Sequence, residues 1–213
     1  LLILFFTING AYVTLTEPSN PAMQFIGLIP LAVGIFIYLT ITKKWTDYFS
    51  LTNFKSIKNM TLLCSPLLLV VLIIFIGNKG LNTASIPDLI IMFLIQLFIV
   101  AFIEETFFRG FMLKILLSIG FKKAVLISSL LFAITHSLQV LGGQSLEETI
   151  FQITYAFVVG MVLSLLIINN QSIIIAIIFH GLNNFLKIMG NGEGSSILSY
   201  VIIAILSIQI FYL

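Results

Sequence analysis

Between Leu89 and Leu117 the sequence is almost wholly apolar, yet Glu104, Glu105 and Arg109 stand inside that run. The stretch is long enough to cross a bilayer as a helix, for which about 20 apolar residues suffice. An ionisable side chain at such depth is costly unless it is paired or faces a wet cavity, and it marks a functional site by default. Whatever the chain folds into must therefore bring partners to two carboxylates and a guanidinium within a membrane helix. Composition agrees with that setting. Of the 213 residues, 60% are hydrophobic and 8% charged, with a mean hydropathy of +1.18, whereas a soluble domain carries about a quarter charged residues. The expected fold class is all-α, a polytopic helical bundle, with residues 1–213 forming one integral membrane domain and no stretch polar enough for a second, soluble one.

Breakers divide the chain into about eight helices, expected over residues 1–16, 23–42, 61–77, 88–118, 123–139, 148–168, 171–188 and 196–213. They are Pro18 and Pro21, Gly77 and Gly80, Pro87, Gly120, Gly142 and Gly143, Asn169 and Asn170, then Gly190, Gly192 and Gly194. Cytoplasmic loops collect Lys and Arg. With eight spans, Lys43, Lys44, Lys55 and Lys58 fall on the same side as Lys114, Lys122 and Lys123. Lys79 and Lys187 fall opposite, with Glu17, Asp88, Glu147, Glu148 and Glu193. Both termini are thus expected in the cytoplasm. The small size and low-charge composition point to a bacterial plasma membrane. A net charge of +2 gives no reason to expect a nucleic-acid partner. The single cysteine, Cys64, rules out a disulfide framework and a multi-thiolate metal site. The first residue is Leu1 rather than Met, so residues are expected to precede it, and the apolar start reads as a retained helix rather than a cleaved signal peptide.

Depth ties other residues to the charged stretch. His136 lies thirteen residues beyond Lys123, and His180 nine beyond Gln171. At about 1.5 Å per residue these rises are roughly 20 Å and 14 Å, both near the middle third of the membrane. If the fourth helix continues through Phe111, Met112 and Leu113 to Ser118, Glu104 rises roughly 21 Å and reaches the same level. Within that helix Glu105 and Arg109 form an i,i+4 pair on one face. Glu104 points about 140° away from Arg109. Arg109 then neutralises Glu105 and leaves Glu104 as the candidate general base. His180 and Asn184 repeat the i,i+4 spacing, as do Phe132 and His136. A carboxylate, two imidazoles and a carboxamide suffice to deprotonate a water and hold a developing oxyanion. Glu104, His136 and His180 would equally suit a catalytic zinc with one open position.

Glu104-Glu105-x-x-x-Arg109, Phe132-x-x-x-His136 and His180-x-x-x-Asn184, in that order and each within an apolar run, resemble the three-motif signature of the CPBP (CAAX protease and bacteriocin-processing, or Abi) intramembrane proteases. The resemblance covers roughly residues 88–190, the expected catalytic core. It implies an endopeptidase whose active site lies inside a helical bundle, acting on a prenylated protein or on a leader, pheromone or bacteriocin peptide at the membrane. Carried over, it makes Glu104 the residue that activates water, with His136 sharing that role or holding a metal. His180 and Asn184 would hold the oxyanion, or His180 would be a metal ligand.

Plainer readings stand beside these. Glu105 and Arg109 read as a structural ion pair, Phe132 as packing beside His136, and Asn183 as a rival of Asn184 for the polar contact. Gln96, Gln152 and Tyr155 either line a substrate path or bond helix to helix. Trp45, Tyr48 and Phe49 mark the cytoplasmic interface. A non-enzymatic immunity or regulatory membrane protein is the alternative function. A proton-coupled transporter is disfavoured by the absence of repeated halves.

Overall fold

The computed structural model describes residues 2–49, 57–192 and 196–213. Leu1, Lys55, Glu193 and Gly194 lie outside the described residues, as does the side chain of Lys58. The described chain is helical throughout: α1 (Leu2–Thr16), α2 (Ile29–Ile41, entered through a 3-10 turn at Pro21–Leu28), α3 (Trp45–Phe49), α4 (Ile57–Gly77), α5 (Ile86–Ile119), α6 (Phe121–Thr135), α7 (Leu146–Ile168), α8 (Ile173–Ile188) and α9 (Ser196–Tyr212). Among the described residues, five helical stretches are long and apolar enough to cross a membrane: Pro21–Ile41, Met60–Gly77, Ile86–Ile119, Phe121–Leu138 and Leu146–Ile168. The apolar helices α1, α8 and α9 are shorter. The protein is an all-α bundle, and α3 is the one described helix outside the eight expected.

Local chemistry sets the boundaries. Pro87 enters α5 at its first turn, where its missing N–H costs nothing, and Ser85 caps that end by accepting from the Asp88 N–H at 3.4 Å. Gly120, with φ of +98°, turns the chain sharply from α5 into α6. Ser145 and Glu148 form a reciprocal capping box at the start of α7. Ser172 caps α8 through the Ile174 N–H at 3.2 Å.

The fourth expected helix does continue past Arg109, to Ile119. It is not uniformly α-helical. Wide π-helical turns occupy Gln96–Ala101 and Thr106–Met112, with a short α-helical piece, Phe102–Glu105, between them. In the second wide turn the Leu113 N–H closes onto the Phe108 carbonyl, five residues back. The buried Ser128 hydroxyl of α6 donates to the same carbonyl at 3.0 Å. Such turns concentrate at functional sites because they re-aim the side chains around them.

Two apolar cores flank this helix. One joins Leu67 and Val70 of α4, Leu163 and Leu166 of α7, Phe179 of α8 and Leu206 of α9. The other gathers Leu39 of α2, Ile103 and Phe108 of α5, and Phe132 of α6. The outer surface stays apolar: Leu72, Phe98, Ile115 and Phe211 are exposed. A large apolar exterior of this kind suits lipid rather than water. Trp45 and Phe49 of α3 do more than mark an interface, since both rings lie against Phe102, at 6.3 Å and 6.1 Å between centroids.

Candidate active site

The charged stretch of α5 meets α8 at His180. Glu105 is fully buried, and its Oε1 accepts from Arg109 Nη1 at 3.1 Å, one turn along the helix. The same oxygen contacts His180 Nδ1 of α8 at 2.7 Å. Across the imidazole, His180 Nε2 lies 3.6 Å from Glu104 Oε2. His180 therefore stands between the two carboxylates. Helix geometry separates Glu104 from the Glu105–Arg109 pair, and a residue from another helix reconnects them.

The two carboxylates differ in access. The Glu104 side chain keeps 11% of its surface exposed and that of Glu105 none, so Glu104 is the one a water or a peptide can reach. The Glu105 contact also assigns one proton of His180. A carboxylate accepts, so Nδ1 is the protonated nitrogen, and Nε2 is the nitrogen turned towards Glu104. At 3.6 Å that second contact is longer than a direct hydrogen bond and matches the reach of a bridging water or a closing movement.

Phe132 organises the remaining motif residues. Its buried ring meets His136 and His180 edge-on, at centroid separations of 4.9 Å and 5.7 Å. The Arg109 guanidinium carbon sits 4.0 Å from the centroid of the same ring, a cation–π contact in a dry interior. His136 is not within an α-helix: α6 ends at Thr135, and His136 opens a 3-10 segment that runs to Gly142. Its Nδ1 lies 3.0 Å from the Phe132 carbonyl. Because a carbonyl only accepts, Nδ1 carries the proton and Nε2 keeps its lone pair.

Of the two asparagines, Asn183 is buried and accepts from the Tyr155 hydroxyl of α7 at 2.5 Å. Asn184 is less buried, and its Oδ1 accepts from Asn183 Nδ2 at 3.3 Å. Both are polar contacts, joined in one chain. Tyr155 bonds helix to helix, which is the plainer of the two roles expected of it. Gln96 turns its amide nitrogen to Met92 Sδ at 3.6 Å on its own helix.

Close packing holds α8 against α5 at this level. A Cβ added to Gly181 would stand 2.6 Å from Leu97 Cδ2 and 3.1 Å from the Leu97 Cα. Backbone cannot give way as a flexible side chain can. Gly181→Ala is expected to cost about 1–3 kcal/mol of stability, the usual penalty for overpacking. It should also lower any activity that needs His180 beside Glu104. Thermal unfolding of the purified variant checks the first part, and a melting temperature equal to that of the unsubstituted protein would contradict it.

A catalytic zinc takes three protein ligands at about 2.0–2.2 Å and keeps a fourth position open. Glu104 Oε2 and His180 Nε2 could serve as two of them, with Glu105 supporting the imidazole from behind as outer carboxylates do. No group of three His, Cys, Asp or Glu side chains converges to hold a metal among the described residues. His136, the third ligand expected, does not join these two in such a group.

Residues 86–186 match the family model described as type II CAAX prenyl endopeptidase Rce1-like. The match is to this segment alone, and it is consistent with the family that the three motifs resemble. The matched segment runs from the start of α5 to the last turn of α8, so it contains Glu104, Glu105, Arg109, Phe132, His136, His180 and Asn184. No curated protein and no solved structure gives a match to the chain.

Proposed function

We propose that the protein is an intramembrane endopeptidase that cleaves a membrane-associated, prenylated peptide with water activated by Glu104. The observation that carries this reading is the unequal pair of carboxylates around His180: one buried and tied to Arg109, the other accessible and facing the free edge of the imidazole.

In this reading Glu104 takes a proton from a water as its oxygen bonds to the scissile carbonyl carbon. The carbonyl oxygen becomes an oxyanion, which the Asn184 carboxamide and the Nε2–H of protonated His180 hold. The C–N bond then breaks, and the leaving nitrogen receives the proton that Glu104 took. His136, with its Nε2 lone pair, shares the handling of the water. Phe132 sets the spacing of the two imidazoles, and Glu105 with Arg109 fixes the position of His180 and the proton on its Nδ1. A general base supplies about 10²–10⁴-fold, and each oxyanion donor about 10²–10³-fold.

The substrate class rests on the family name, which describes prenyl endopeptidases, and on the lipid-facing exterior. Both termini lie in the cytoplasm of a bacterial plasma membrane in this reading, with the lysines of the α2–α4 and α5–α6 connections on the same side.

The test is cleavage of a farnesylated, fluorogenic CAAX-type peptide by the purified protein in lipid vesicles. Turnover is expected before and after treatment with a chelator, with metal content measured in both samples. Loss of turnover on chelation, with recovery on adding zinc, would replace the glutamate reading with a metal one. No turnover of the peptide would refute the proposed substrate class.

A further inference from the structure

Tyr155 belongs to none of the three motifs, yet it is bound to the residue beside Asn184. We propose that Tyr155 is a positioning residue that, through Asn183, fixes which end of the Asn184 carboxamide faces the reacting carbonyl. The inference rests on the reading of Asn184 as an oxyanion donor.

The directionality comes from the hydrogen bonds. Tyr155 and Asn183 are both buried, on α7 and α8. The phenol O–H donates to Asn183 Oδ1 at 2.5 Å. An amide whose oxygen is so held presents its NH2 on the other side. Asn183 Nδ2 uses that side to donate to Asn184 Oδ1 at 3.3 Å. Asn184 thereby commits its oxygen inward and keeps its own Nδ2 as the outward end. Among the described residues nothing accepts from that nitrogen, which leaves it available to an oxyanion.

Reversing the chain shows what the phenol does. Without it Asn183 can flip, turning its oxygen towards Asn184. Asn184 would then donate inward and offer an oxygen to the oxyanion, which repels it. The hydroxyl is what makes the two orientations unequal. The α8 helix also grips the ring from one turn further along, since Lys187 Nζ stands 3.7 Å from the Tyr155 ring centroid. Asn183 and Lys187 are four residues apart and share a face of α8.

A merely structural Tyr155 would contribute an interhelical hydrogen bond and affect stability alone. The experiment separates the two by kinetics, using the farnesylated fluorogenic peptide and the full chain in vesicles. Tyr155→Phe is expected to lower kcat about twofold with KM unchanged, because two equal orientations leave half of the Asn184 carboxamides competent. Asn184→Ala is expected to lower kcat by about 10²–10³-fold. Combining Tyr155→Phe with Asn184→Ala should bring no further loss, because a residue that acts only through another cannot be lost twice.

If Tyr155→Phe does not accumulate, Tyr155→Phe/Asn183→Leu removes both buried partners together, leaves neither unsatisfied, and carries the same expected loss. An unchanged kcat in Tyr155→Phe, or an equal loss in the Asn184→Ala background, overturns the proposal while the Asn184 reading stands. Full turnover by Asn184→Ala, or none by the unsubstituted protein, refutes the parent reading and this inference with it.

Discussion

Replacing Glu104 by glutamine is expected to abolish peptide cleavage, by about 10³-fold or more, while the protein still folds and reaches the membrane. Glutamine has nearly the volume of glutamate but cannot take a proton from water, so the change removes the proposed chemistry and little else. Folding should survive because Glu104 is not in the buried ion pair; the contact it makes with His180 Nε2 is long, at 3.6 Å. The amide is also spared the cost of a carboxylate held in an apolar bundle. Thermal unfolding of Glu104→Gln should thus be unchanged or shifted upward. Turnover of the farnesylated peptide, measured per folded molecule, decides the matter. Activity within tenfold of the unsubstituted protein would remove Glu104 from the role of base and shift attention to His136.

The second large effect falls on stability. Arg109→Leu leaves Glu105 buried without its guanidinium, and breaking one side of a buried ion pair costs about 3–5 kcal/mol. The cost here includes more than the charge. Arg109 also lies on the Phe132 ring, which meets Phe108, His136 and His180 as well, so the loss reaches both imidazoles. The variant should accumulate poorly and elute as aggregate in detergent. Replacing both members, as in Glu105→Leu/Arg109→Leu, removes the unpaired charge and should recover much of the yield without recovering turnover, because His180 would lose its anchor. Normal yield and melting for Arg109→Leu alone would show that the pair is not what holds this part of α5.

Several of these relations are legible in the residues. The apolar run after Arg109 implies a helix reaching Ser118, and α5 runs to Ile119. The i,i+4 spacing pairs Glu105 with Arg109, and depth matching puts His180 at the level of Glu104, from which it lies 3.6 Å away. Less legible is what depends on lateral packing. A pitch of 3.6 residues gives no sign of the wide turns at Gln96–Ala101 and Thr106–Met112. Nothing in the spacing says that His180 reaches Glu105 more closely than Glu104, since that is set by the approach of α8 at Gly181. Phe132 reads as packing in a linear sequence, because a residue touched by three distant side chains looks like any buried phenylalanine. Tyr155 and Asn183 are 28 residues apart, with no motif to join them. The end of α6 at Thr135 is likewise unmarked by glycine or proline, so His136 reads as mid-helix when it caps the helix end.

The helix that carries His180 has a consequence for the surrounding lipid. With 16 residues, α8 is about 24 Å long, shorter than a hydrocarbon core of roughly 30 Å. Lipids beside a short span accommodate it by thinning, which costs a fraction of a kcal/mol per ångström. His180 is the eighth of those 16 residues, so it stands only about 12 Å from either end of the helix. By hydrophobic mismatch, the shorter the acyl chains of the host bilayer, the shorter the descent of a hydrated peptide segment to that level.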